Sequence, residues 1–148
     1  MAVKPIPDGY HSVTPQLDVK GAAQLIDFVK QAFGAEEIMR MPGPAGALMH
    51  AEVKIGDSIV MMSDAVREAP MPGSVFLYVN DVDAVYKRAL QAGATSQLEP
   101  TDMFWGDRFA SVKDSFGNKW GMATHKEDVP PEEMPKRAAA FMKQQGGG

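Results

Sequence analysis

From Val13 to Val19 apolar and polar positions alternate: Val13, Pro15, Leu17 and Val19 share one face, and Ser12, Thr14, Gln16 and Asp18 the other. A period of two predicts a strand with one apolar face. Pro15 has no N–H to give a ladder, so the strand belongs at a sheet edge or is locally unpaired. The spacing then lengthens. Leu25, Phe28, Val29, Ala32 and Phe33 recur at helical intervals, and Gly34 closes a helix over Gly21 to Phe33. Glu36 to Met41 reads as a short strand, followed by a turn at Pro42-Gly43-Pro44-Ala45-Gly46. Alternation returns over Leu48 to Ile55, where Ala51, Val53 and Ile55 oppose His50, Glu52 and Lys54. Gly56-Asp57 reverses the chain into a strand over Ser58 to Met62.

Asp64 to Gly73, with Pro70, Pro72 and Gly73, reads as a linker, after which the pattern restarts. Val75, Leu77 and Val79 alternate with Ser74, Phe76, Tyr78 and Asn80, and a helix is expected from about Asp81 to Gln91, closed by Gly93. Leu17-Asp18-Val19-Lys20-Gly21 matches Leu77-Tyr78-Val79-Asn80-Asp81, and Phe33-Gly34-Ala35 matches Ala92-Gly93-Ala94; the offset is about 60 residues in both. The chain is therefore an internal repeat of strand, helix and three strands, and two such units should pair to hide their apolar faces. The second unit ends in a hairpin, with Arg108 to Lys113 and Lys119 to Ala123 joined by Asp114-Ser115-Phe116-Gly117-Asn118, residues suited to a tight turn. The arm before it, Asp102 to Phe109, holds Phe104, Trp105, Asp107 and Arg108. A further helix is expected from about 130 to 143, opened by Pro130, Pro131 and two acids and striped by Met134, Ala138, Phe141 and Met142, with 144–148 fraying.

Composition narrows the function. A chain of 148 residues suits one domain with its own core. Net charge is −4 and the pI about 5.3, which leaves no basic footprint for nucleic acid and no polybasic patch for a membrane. The absence of cysteine excludes disulfides, a thiolate nucleophile and cysteine-ligated metal. No apolar run is long enough to span a bilayer, and no charged-then-apolar signal pattern opens the chain. The expectation is a cytoplasmic protein with a small-molecule ligand.

The duplicated unit resembles the glyoxalase/bleomycin-resistance/extradiol-dioxygenase superfamily, the vicinal oxygen chelate proteins. Gly9-Tyr10-His11-Ser12-Val13-Thr14-Pro15, Gly21-Ala22-Ala23 with Phe33-Gly34-Ala35, His50-Ala51-Glu52 with Ile55-Gly56-Asp57-Ser58, Trp105-Gly106-Asp107-Arg108, and Ala123-Thr124-His125-Lys126-Glu127-Asp128-Val129 resemble its PhnB-like branch. The resemblance covers about residues 8 to 142. It implies an α+β fold in a single domain over 1–148: two βαβββ repeats, about 8–65 and 73–125, form cupped mixed sheets around a cleft, and a C-terminal helix lies outside both. It also implies a homodimer, to which the stripe Met134, Phe141 and Met142 would contribute.

Superfamily enzymes hold a divalent metal with His, Gln or Glu from the first and last strands of the units, keeping one position open for a substrate's paired oxygens. Those positions fall here on Thr14, Ser74 and Gly121, and Ser58 to Met62 carries no carboxylate or imidazole. Hydroxyls and a glycine do not make such a site, so no metal cofactor is expected. The alternative is a non-standard divalent site at His50 and Glu52, which share a strand face, with Gln16. For ligand binding, Phe76, Tyr78, Phe104 and Trp105 offer flat surfaces, and Gln16, His50, Arg108 and Lys119 polar anchors. Together they favour a ligand that is flat, negatively charged or both, with Arg108 either an anion anchor or locally ion-paired with Asp107 or Asp102. Three readings stay open. The first is a metal-free small-molecule-binding protein of the bleomycin-resistance kind. The second is a glyoxalase-, lyase- or dioxygenase-like enzyme using a non-standard metal or acid–base chemistry by His50 and Glu52. The third is an interaction protein with a vestigial cleft.

Overall fold

The computed structural model describes residues 2–146. The first unit runs β1 (Gln16–Val19), α1 (Ala22–Phe33), β2 (Glu36–Pro42), β3 (Leu48–Ile55) and β4 (Ser58–Asp64). The second repeats that order as β5 (Ser74–Tyr78), α2 (Val82–Gln91), β6 (Thr95–Asp102), β7 (Asp107–Lys113) and β8 (Lys119–His125). Helix α3 (Met134–Gly146) follows. The sheets have matching orders, β1-β4-β3-β2 and β5-β8-β7-β6. In each, the first strand runs parallel to the fourth and the remaining pairs are antiparallel. This is the α+β architecture of two βαβββ repeats expected above.

Alternation sorts each sheet into two faces. Leu17, Val19, Ala51, Val53, Val60 and Met62 of the first sheet are buried beneath α1, whose own inward stripe is Leu25, Ile26, Phe28, Val29 and Ala32. Ala110, Val112, Trp120 and Met122 do the same beneath α2. The helices pack on each other, and the Phe33 ring lies 4.9 Å from the Trp120 ring, so the two units share one core. Both helix starts are held from the last strand of their own unit. Asp64 in β4 accepts from the Gly21 and Ala22 amides at 2.8 and 2.9 Å; Thr124 in β8 accepts from the Val82 amide at 2.9 Å. Three backbone donors, with Leu48 as the third, outweigh the burial that pushes the Asp64 carboxyl up, and hold it below its ordinary value. Gly34 ends α1 at φ 67°, ψ 29°, a left-handed conformation that a side chain would resist.

Several boundaries differ from expectation. β1 begins only at Gln16, and Val13 stands 85% exposed rather than beneath α1, because the chain upstream of Pro15 has no partner strand. β4 extends two residues further, to Asp64. Helix α3 starts at Met134, since residues 131–133 form a turn behind the prolines, and it continues to Gly146 instead of fraying from 144; residues 1, 147 and 148 lie outside the described part. Its Phe141 ring sits 5.2 Å from Phe104 and Arg137 bonds Glu127 at 2.6 Å, so part of its stripe is used within the chain, leaving Met142 exposed. Among the described residues, no helix is long and apolar enough to cross a membrane.

Phe28 is 6% exposed and meets Phe33 edge-on at 5.7 Å. Phe28→Ala should lower stability by about 3–5 kcal/mol in denaturant unfolding. A loss under about 1 kcal/mol would contradict this packing.

Candidate functional site

The face of the second sheet turned away from α2 is aromatic. On β5 the inward residues are Val75 and Leu77, which puts Phe76 and Tyr78 on the open face at 48% and 67% exposure. Register places Phe76 beside Gly121 and Ser111, and Tyr78 beside Ala123 and Phe109. Phe76 and Phe109 stack across Gly121 with ring centres 5.6 Å apart and planes 6° from parallel. Tyr78 lies 5.1 Å from Phe76, and Trp105 6.2 Å from Phe109. A cavity of about 800 Å³ adjoins this face between the units. Phe76 and Tyr78 line it together with the open edge of β5, the β3–β4 hairpin and the start of α2.

One carboxylate organises the far end of the strip. Asp107, 3% exposed, accepts from Tyr78 Oη and Trp105 Nε1, both at 3.0 Å, through Oδ2, while its Oδ1 faces His125 Nδ1 at 2.7 Å. Burial pushes the Asp107 carboxyl up, but the bonds from His125, Tyr78 and Trp105 outweigh it and hold it below its ordinary range. The Asp107 carboxylate, with some burial, raises the Tyr78 phenol, which therefore stays protonated and donates. The Asp128 and Asp107 carboxylates raise the His125 imidazole. Asp128 is fully in solvent, where an ion pair is screened, so the buried Asp107 is the more durable partner. Asp107, Phe109 and His125 were not among the candidates from sequence. The signal for them was parity, since 107 and 109 share a face with the open residues of β5 and β8.

The remaining candidates scatter. Phe104 stands edge-on to Trp105 at 5.1 Å but faces α3. Arg108 takes the ion-pair alternative: it lies on the opposite face of β7, bonding Asp83 of α2 at 2.8 and 3.0 Å and Asp102 at 3.2 Å, which corrects its reading as an anion anchor for the aromatic strip. Those two carboxylates hold its guanidinium strongly protonated. Gln16 and His50 belong to the other sheet. His50 Nε2 lies 2.8 Å from Glu52 Oε2, and Gln16 turns toward Asp18 at 3.4 Å. Met61 stands between Gln16 and Glu52 in the register, so Gln16 cannot join the His50–Glu52 pair directly.

With this geometry the comparisons with known proteins are specific. The family described as Glyoxalase/Bleomycin resistance protein/Dioxygenase superfamily matches residues 11–122. The chain belongs to this superfamily. An uncharacterized protein of Mycobacterium bovis is 38% identical over 149 residues, covering 93% of this chain and 95% of that protein. Among solved structures, TioX from Micromonospora sp. ML1 superposes with a TM-score of 0.67 at 24% identity, covering 78% of this chain and 98% of TioX. TnmS3, an antibiotic binding protein from Streptomyces sp. CB03234, superposes with a TM-score of 0.63 at 22% identity, covering 85% and 99%. At such identities these two structures speak for the fold.

The superfamily's metal positions were tested against the side chains that occupy them. Thr14 spends its hydroxyl on the His11 carbonyl at 3.2 Å. Ser74 is an exposed hydroxyl at the start of β5. At Gly121 a side chain would be crowded: a Cβ there would meet Phe76 Cδ2 at 3.1 Å and Phe109 Cε2 at 3.2 Å, so the rings would have to give way. The one carboxylate of β4, Asp64, is committed to three backbone amides. Among the described residues no three His, Cys, Asp or Glu gather as a metal site. The donor set does not fit a divalent ion.

Because the folded-state value of His125 is raised, its contribution to stability is complete below about pH 6.5 and is lost as pH rises through that higher value. Asp107 works in the opposite sense, its contribution being present above about pH 3.9 and lost as pH falls through its depressed value. In an NMR titration, the His125 ring should titrate above about pH 6.5, and Asp107→Asn should lower its midpoint more than Asp128→Ala does. The reverse order would make the exposed partner the dominant one.

Proposed function

We propose that the protein is a metal-free small-molecule-binding protein, of the bleomycin-resistance kind, and that a flat ligand lies on the Phe76/Phe109 stack between Tyr78 and Trp105. The observation that carries this is the ring pair over Gly121, which takes the space where the resemblance implies a metal ligand and turns it into an apolar platform. A ring stacked on such a platform gains about 0.5–1.5 kcal/mol beyond its burial. TnmS3, which shares the fold, is an antibiotic binding protein, and this supports the reading without naming a ligand. The local sequences support placement in the PhnB-like branch. The enzyme alternative has a weaker basis: His50 and Glu52 bond each other on the other sheet, flanked by Met39, Met41 and Met61.

The same reading makes the protein a homodimer. Phe76, Tyr78 and Met41, on the open faces of the two sheets, stand 48%, 67% and 47% exposed, and a second copy would cover such apolar surface. Native mass spectrometry of the protein from its own host tests all three parts together. The expected spectrum shows two 16.0 kDa chains carrying an organic adduct and no stoichiometric metal. A bare monomer, or a metal lost in His50→Ala, would overturn the reading.

Trp105 supplies the second test. Its indole borders the strip, whereas Trp120 is buried in the core. Binding of the adduct identified above should change tryptophan emission in the wild type and change it far less in Trp105→Phe. An equal response in both would remove Trp105 from the binding face.

A further inference from the structure

With Arg108 turned to the opposite face, the positive charge available to the aromatic strip has to come from elsewhere. Lys113 and Lys119 are directly opposite each other across β7 and β8, with Ser74 completing the row on β5. Alternation from Gly121 and Ser111 puts both lysines on the aromatic face, one row from Phe76 and two rows from Phe109, steps of about 7 and about 13 Å along a strand. Both are exposed. Like charges facing each other across a ladder are unfavourable. Among the described residues neither lysine has an ion-pair partner. The neighbouring acid, Asp114, is buried and turned to the turn residues and to Trp120. The carboxylate that β5, β7 and β8 place on this face is Asp107, which lies at the other end and is already bonded to three donors.

We propose that Lys113 and Lys119 form the anion-binding end of the aromatic face, so that the ligand is a flat aromatic acid. Its ring stacks on Phe76 and Phe109, and its carboxylate, sulfonate or phosphate meets the two ammonium groups. The anion relieves the repulsion between the lysines, and the one-row spacing between them and Phe76 lets ring and acid engage together. This rests on the reading of the strip as a ligand platform, and adds to it the charge of the ligand and the residues that select it.

The test uses three probes with one ring system: naphthalene-2-sulfonate, 2-naphthalenemethanol and naphthalen-2-ylmethylammonium. Each is titrated by NMR into the full chain as wild type, as Lys113→Gln/Lys119→Gln, and as Lys143→Gln, a control lysine on α3. The sulfonate should bind the wild type about fivefold more tightly than the alcohol, and the ammonium more weakly than either. The double variant should bring sulfonate and alcohol together while leaving the alcohol unchanged, and added salt should shrink the wild-type difference. Lys143→Gln should change nothing. Equal affinity for sulfonate and alcohol in the wild type overturns the inference and leaves the platform standing. So does an equal effect of Lys143→Gln, or a loss of both probes in the double variant. Binding of none of the three, or shifts that avoid Phe76 and Phe109, overturns both.

Discussion

The buried Asp114 carboxylate is the constraint on which the second half of the molecule depends. Its Oδ1 accepts from the Phe116 and Asn118 amides at 2.8 and 2.9 Å, which shapes the β7–β8 turn. Its Oδ2 accepts from Asn118 Nδ2 at 2.9 Å and Trp120 Nε1 at 2.8 Å, which lets an indole sit fully buried without an unmet donor. Asn118 in turn accepts from the Gly73 amide at 2.9 Å, tying the linker between the units to the same turn. Leaving one buried polar group unpaired costs about 1–3 kcal/mol, so a single side chain here satisfies groups that would otherwise oppose the shared core. The turn also reaches the first unit, since Phe116 packs at the start of α1 beside Gly21. Four short bonds thus set the β7–β8 register, seat Trp120 against Phe33 and fix the approach of one unit to the other. The open face follows from that register, since a slip of one residue would send Phe109 to the core and Ala110 to solvent.

Duplication explains why the two units look alike in one respect and differ in another. Asp64 and Thr124 occupy equivalent places in β4 and β8, and each holds the start of its own unit's helix by side-chain oxygen. The helix face of each sheet must be apolar to build the core, so it changes little between the units. The open faces carry no such demand. One is lined by Met39, Met41 and Met61 around the His50–Glu52 pair; the other is an aromatic strip running from two lysines to Asp107 and His125. Thioether side chains adapt to many shapes, whereas stacked rings present one flat surface. Two such faces brought together in an assembly would offer a ligand one rigid wall and one adaptable wall.

The regular elements were legible because strand and helix periods are local. Val75 and Leu77 against Phe76 and Tyr78 give both the strand and its open face. Phe28 was legible as core for the same reason, from the helical stripe it shares with Leu25 and Val29. The site was harder to read, because it depends on which residues meet across strands. Asp107 and Arg108 are adjacent in sequence and therefore point to opposite faces, yet as a charge-rich arm they read as one cluster. Arg108 meets Asp83, 25 residues earlier on α2, a contact that only the packing of α2 on β7 creates. His50 and Gln16 read as neighbours of the aromatics because both units place polar residues at matching positions, but the sheets are separate and Met61 divides even the pair that shares one. His125 sits at the end of β8, where periodicity carries least information; its role needs Asp107 from the adjacent strand.

Gly121 joins these threads. In a sheet interior a glycine weakens the strand and leaves no side chain to pack, so its place needs a reason in the surroundings. Here the reason is above it: Phe76 and Phe109 approach so closely that even a methyl group would meet both rings near 3.1–3.2 Å. A side chain at position 121 and the ring pair in its present position would crowd each other. The close ring pair and the lack of a side chain at Gly121 therefore go together. The hydroxyls at Thr14 and Ser74 are likewise poor donors for a divalent ion. A side chain introduced at Gly121 would require the rings to shift. Moving them would disturb Tyr78 beside Phe76 and Trp105 beside Phe109, both of which Asp107 holds in place.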